Sequence, residues 1–130
     1  MKTPNVGTSV LTGLDIVDVD RFERLLARRG ERLLLRLFTE SERRAARAES
    51  LAARFAAKEA VLKLLGTGLS AGMTWHDVEV ETGPRGEPRV VLTGGAERRA
   101  RELGLGPISV SLTHAGAVAA AAAAALREEA

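Results

Sequence analysis

Asp15 and Glu59 are carboxylates set among apolar neighbours, Asp15 at the end of the run "TSVLTGLD" and Glu59 inside "RFAAKEAVLKLLGTG" at 54–68. Carboxylates are seldom fully buried without a partner, so each calls for a cation, an Arg or Lys, or a proton. If the two converge, they make the sparse oxygen set that holds Mg²⁺ while substrate phosphates and water complete its octahedron. Lys58, Lys63 and the backbone of Gly66-Thr67-Gly68 add cations and N–H groups that suit a phosphorylated ligand. Each feature also has a plainer reading. Glu59 and Lys63 are i,i+4 neighbours, a pair worth about a few tenths of a kcal/mol on an exposed helix. Asp15 serves equally as a turn or capping residue, and Gly66 as a helix C-cap.

His114 follows "SVSLT" at the end of an expected strand, beside the hydroxyls of Ser111 and Thr113. It is a substrate-side candidate or a structural residue. No second His is close enough in sequence to make a metal pair, and without a G-x-S-x-G elbow Ser111 and His114 are poor evidence for a hydrolase triad. His76, beside Trp75, reads as a loop residue. Arg21, Arg24 and Arg28 recur at i, i+3 and i+7, forming one basic helical face opposite Phe22, Leu25 and Leu26. That face is either solvated or a dock for an acidic helix of a partner protein.

The elements that must position these groups follow from periodicity and punctuation. "TSVLTGLDIVDV" reads as a strand, with helix resuming near Asp18 and "DVDRFERLLARR" ending at Gly30. "ERLLLRLF" is a short helix, and "TESERRAARA" begins with Thr39 as N-cap and Glu42 three residues on, the capping-box pattern. The long helix from about Leu51 to Leu65 carries Leu51, Phe55, Leu62 and Leu65 on one stripe and Ala53, Ala56, Ala60 and Leu64 opposite, so it is apolar nearly all round and reads as buried. Lys58 projects within the stripe. A glycine-containing loop, two strands joined by "GPRGEP", a helix stopped by Gly104 and the strand "PISVSLTH" come next. "AVAAAAAAAL" has high helix propensity, but it follows a strand after only a short turn. It reads as a strand under helices, where only a methyl group fits.

The sum is an α+β domain with helices on one side of a mainly antiparallel sheet. The 130 residues read as one domain, with 45% hydrophobic residues for a core but only 3% aromatic. A net charge of +2 is too balanced for a protein living on nucleic acid or an anionic membrane. No Cys is present, which excludes a disulfide framework and suits the cytosol. No segment is long and apolar enough to read as a membrane span.

Taken in order, "GLDIV" at 13–17, "RFAAKEAVLKLLGTG" at 54–68 and "SLTH" at 111–114 resemble the motifs of the holo-acyl-carrier-protein synthase family of phosphopantetheinyl transferases. "LRLFTESE" and "WHDVEV" fit as well, and the resemblance runs from about Gly13 to Leu126. It implies a phosphopantetheinyl transferase-like fold and transfer of the 4′-phosphopantetheine arm of coenzyme A to a serine of an apo acyl carrier protein, releasing adenosine 3′,5′-bisphosphate. Asp15 and Glu59 match the family's Mg²⁺ ligands, Lys63 its phosphate-side lysine, Gly66 and Gly68 its phosphate-side turn, and His114 a substrate-binding histidine. Lys58 is counted with the substrate-binding cations, and Arg21, Arg24 and Arg28 with the carrier-protein dock. The family is similar in being a homotrimer with active sites between subunits, and the expectation is a cytoplasmic enzyme, with no nucleic-acid or membrane partner expected from the balanced charge. Ala53 stands where members often have Gly, and the final strand is unusually rich in alanine. Two rivals compete: an Mg²⁺-dependent phosphohydrolase or nucleotidyl enzyme using the same Asp15, Glu59 and Lys63, and a non-enzymatic Arg-rich module that binds acidic proteins or nucleic acid without Mg²⁺.

Overall fold

The computed structural model describes residues 7–45, 48–69 and 72–128. Strand β1 (Thr8–Asp18) is followed by helices α1 (Val19–Arg29), α2 (Glu31–Leu37), α3 (Glu40–Ala45) and α4 (Ala48–Leu65). A 3₁₀ turn at Trp75–Asp77 leads into β2 (Val78–Thr82) and β3 (Pro88–Leu92), then α5 (Gly94–Leu103), β4 (Ser109–Ala115) and β5 (Val118–Glu128). This is the expected order. Residues 46 and 47 of the helix expected from Thr39, and residues 70 and 71 of the glycine loop, lie outside the described residues.

Local chemistry sets the boundaries. Asp18 caps α1, its Oδ1 accepting the Arg21 N–H at 2.9 Å, and Gly30, at φ 71°, ends that helix. Thr39 and Glu42 make both halves of the capping box: the Glu42 N–H donates to Thr39 Oγ1 at 3.2 Å, and the Thr39 N–H to Glu42 Oε1 at 2.9 Å.

The strands form two antiparallel sheets, β1-β5-β4 and β2-β3. Helix α4 lies on one face of the larger sheet, with Ala56, Ala57, Ala60 and Leu64 packed among Ala121, Ala123 and Ala125 of β5. Alternation along β5 puts Ala119, Ala121, Ala123 and Ala125 under the helix, all buried. Pairing on both edges, to β1 and β4, gives the alanine run a full hydrogen-bond ladder and overrides its helix propensity. The small side chains let helix and sheet approach closely, and Gly13 marks the tightest point. A Cβ built there would stand 1.8 Å from the Ala60 carbonyl oxygen and 2.9 Å from the Leu64 nitrogen.

Every aromatic residue of the chain joins one cluster. Phe22 stacks on Phe55 at 5.1 Å, Phe55 meets Trp75 at 5.2 Å, and Phe22 meets Phe38 edge-on at 6.3 Å, holding α1 and α2 against α4 and the 3₁₀ turn. The opposite face of the larger sheet is open. Val10, Leu14 and Ile16 of β1 are 61%, 61% and 65% exposed, with Val118 and Leu126 of β5 beside them. Among the described residues no helix is long and apolar enough to cross a membrane.

Gly13→Ala is predicted to destabilise the chain by about 1–3 kcal/mol or more, because neither the Ala60 carbonyl nor the α4 backbone can yield without moving the helix. Urea denaturation of the two proteins checks this; equal midpoints would mean that β1 and α4 are not in contact as described.

Candidate active site

The close approach at Gly13 brings the next residues of β1 beside the C-terminal half of α4. Lys63 Nζ donates to Asp15 Oδ1 at 2.9 Å and to the Leu14 carbonyl at 2.9 Å. It therefore bridges to β1 rather than pairing with Glu59 along its own helix. Glu59, half-buried, has neither a hydrogen bond nor an ion pair among the described residues. Burial raises its pKa, and the negative charge of Asp15 raises it further, while Lys63 acts in the opposite sense. These two carboxylates face one cleft of about 920 Å³, which Arg21, Arg24, Arg28 and Phe55 also line. The structure thus brings together Asp15, Glu59 and Lys63 and sets the basic face of α1 on the same opening.

Lys58 is elsewhere. Its side chain is wholly buried, with Nζ 2.7 Å from Glu42 Oε1, 2.9 Å from the Trp75 carbonyl and 2.7 Å from the Val78 carbonyl. Three acceptors use the three donors of an ammonium group. The ring of Phe38 lies 5.6 Å below it. Burial lowers its pKa, and the Glu42 carboxylate works against that. The expectation that Lys58 binds substrate is therefore corrected: it is a structural cation, and the apolar stripe that carries it is the reason it needed an internal partner. The sequence pattern marks Glu42 only as a capping residue. Its second oxygen also accepts the Val80 N–H at 2.9 Å, so one carboxylate serves a helix cap, a buried lysine and a strand. The signal available was a lysine in an apolar stripe with no acid one turn away.

Gly66 and Gly68 take positive φ, 77° and 58°, as a turn leaving α4 requires. The Gly66 amide is used in closing the helix, donating to Leu62 O and Lys63 O at 3.0 and 3.1 Å. His114 is exposed at the end of β4, in register with Ala119 and, beyond it, Val17. That places it two strand spacings, about 10 Å, from β1. Neither the glycines nor His114 line the cleft. His76 is held in the 3₁₀ turn with Nε2 2.7 Å from the Leu35 carbonyl.

Two carboxylates from different elements, a lysine bridging to one of them and an arginine face meet around one opening, carried on a two-sheet α+β domain. The fit of a cation rests on Glu59, an unpaired carboxylate held half out of water next to a second one. The family model for the 4′-phosphopantetheinyl transferase superfamily matches residues 12–122, and the chain belongs to that family. It is 52% identical over 109 residues to the holo-[acyl-carrier-protein] synthase of Desulforudis audaxviator, covering 80% of this chain and 82% of that one. Among solved structures, it is similar to holo-[acyl-carrier-protein] synthase from Helicobacter pylori in complex with coenzyme A. There the TM-score is 0.80 at 26% identity, over 88% of this chain and 99% of that one. It is also similar to acyl carrier protein synthase from Mycobacterium tuberculosis, with TM-score 0.69 at 39% identity, over 93% and 100%.

A carboxyl whose folded-state pKa is raised keeps its proton longer in the folded than in the unfolded chain. The stability it contributes is present at low pH and is lost as pH climbs from the ordinary glutamate value through the raised one. Glu59→Gln is therefore predicted to raise the melting temperature of the metal-free protein at about pH 7 and to leave it unchanged below about pH 4. Asp15→Asn should move the Glu59 titration midpoint down in carboxyl NMR. A midpoint that did not move would remove Asp15 from the neighbourhood of Glu59.

Proposed function

We propose that the chain transfers the 4′-phosphopantetheine group of coenzyme A to a serine of an apo acyl carrier protein and releases adenosine 3′,5′-bisphosphate. The observation that carries this reading is the common cleft of Asp15, Glu59 and the α1 arginines, which sets two carboxylates beside a basic helix face. Membership of the transferase family and the coenzyme A held by the H. pylori relative support it.

Asp15 and Glu59 would hold Mg²⁺, which would supply charge neutralisation to a pyrophosphate ligand. The chain does the rest by positioning and charge. Lys63, already poised on Asp15, holds phosphate charge at the edge of the cleft. Arg21, Arg24 and Arg28 receive the acidic helix of the carrier, which brings its serine to the opening. The serine Oγ forms a bond to the phosphorus of the pantetheine phosphate and gives its proton up to solvent water. The bond from that phosphorus to the adenosine bisphosphate breaks. The phosphate-side turn at Gly66 and Gly68 and the substrate-side His114 complete the assignment.

His114 stands apart from the carboxylates in one chain, and the larger sheet leaves an apolar face open. Both features support a homotrimer in which that face is covered and each site is finished by a neighbour. The absence of a nucleic-acid or membrane partner and a cytoplasmic location belong to the same reading.

Intact-mass analysis of an apo acyl carrier protein incubated with the chain and coenzyme A tests the proposal. One phosphopantetheine unit should be gained with Mg²⁺ and none with chelator; Glu59→Gln should lose at least about 10²-fold in rate while keeping carrier binding. Sedimentation of the same preparation should give three times the 13.8 kDa chain mass. No mass gain with folded protein and several apo carriers sinks the reading in favour of an Arg-rich binding module, and a monomeric enzyme of full activity sinks the trimer.

A further inference from the structure

A turn at the C-terminus of α4 is the wrong end of a helix for an anion. The last carbonyls carry the negative pole of the helix, about half an elementary charge, within the final turn. Gly66 cannot offset this with its amide, which is already committed to Leu62 and Lys63. The Leu65 carbonyl is met from outside the helix. Arg99, on α5, donates from Nε to Leu65 O at 3.0 Å, with Nη1 3.5 Å from Glu102 Oε2. Its Nη2 lies 4.0 Å from where a Cβ on Gly66 would stand, so the guanidinium flanks the turn itself. The side chain is 31% exposed, partly withdrawn from water but open on one side. Helix α5 is itself anchored, because Asp77 Oδ2 accepts the Gly95 N–H at 3.1 Å.

We propose that Arg99 is a positioning residue for the coenzyme: it cancels the negative pole of α4 and fixes the Gly66–Gly68 turn, so that this turn can accept a phosphate. The inference rests on the reading that Gly66 and Gly68 hold the coenzyme's phosphates. Two separable contributions follow from the geometry. One is charge, which any cation at this place supplies. The other is the directed hydrogen bond to Leu65, which the planar guanidinium makes and an ammonium group reproduces poorly. Arg99 contacts neither Asp15 nor Glu59 and does not line the cleft with the basic face of α1, so its effect is confined to the coenzyme.

Steady-state kinetics of the full chain with coenzyme A and an apo carrier, for wild type, Arg99→Leu and Arg99→Lys, separate these effects. Arg99→Leu is expected to raise KM for coenzyme A about five- to tenfold, with kcat and KM for the carrier within about twofold of wild type. Arg99→Lys is expected to recover most of that loss, and added salt to narrow the gap between wild type and Arg99→Leu. The proposal is overturned if Arg99→Leu leaves KM for coenzyme A unchanged. It is equally overturned if kcat and both KM values worsen together with the melting temperature, which would make Arg99 a residue of the fold alone, or if Arg99→Lys is no better than Arg99→Leu. A wild-type chain that transfers nothing removes the underlying reading instead, so the two failures are told apart by the wild-type measurement.

Discussion

The ion pair between Glu42 and Lys58 holds together parts of the chain that otherwise have little reason to meet. Lys58 sits in the middle of α4, Glu42 at the start of α3, and their remaining bonds run to Trp75, Val78 and Val80 at the edge of the second sheet. A pair this deeply buried gives weak net stability, since desolvating both charges offsets much of their attraction, but losing one partner strands the other and costs about 3–5 kcal/mol. What the pair supplies is registry. With Lys58 fixed, α4 cannot rotate or slide, and the next residue, Glu59, is presented to the cleft.

A second constraint works at the other side of α4. Gly13, Ala60 and the alanines of β5 are small because helix and strand almost touch there. The consequence reaches the site directly. Lys63 reaches Asp15 on β1 instead of Glu59 on its own helix, so Glu59 makes no ion pair, and burial together with the charge of Asp15 lifts its pKa against the opposing pull of Lys63. A salt bridge between Glu59 and Lys63 would have satisfied both groups at the expense of the site. Glu59, whose charge is disfavoured by burial and by Asp15, thus stands beside a carboxylate already paired with Lys63, which is the arrangement the proposed cation would relieve.

Much of this was legible in the sequence, and the exceptions have physical causes. The element order, the capping box at Thr39 and Glu42 and the glycine stops are local signals. The alanine strand could be read because its turn and the preceding strand contradicted its propensity. Lys58 was misread because its partner lies sixteen positions away in a different helix, a distance over which periodicity says nothing. The i,i+4 pairing of Glu59 with Lys63 was the natural local expectation, and a backbone contact at Gly13 decided against it. His114 and the turn after α4 do not line the cleft, and local spacing says nothing of how far the end of β4 or the exit of α4 lies from the carboxylates. Arg99 carried no motif, and only the fold shows that it sits on a helix end.

The proposed transfer depends most on Asp15 and Glu59, from separate elements, acting as one divalent-cation site. The direct measurement is a crystal structure with coenzyme A and Mn²⁺, chosen because its anomalous scattering identifies the ion in the density. The account predicts an anomalous peak ligated by one oxygen from each carboxylate and by coenzyme phosphate. A peak bound by neither carboxylate, or by only one of them with the other turned to solvent, would contradict it.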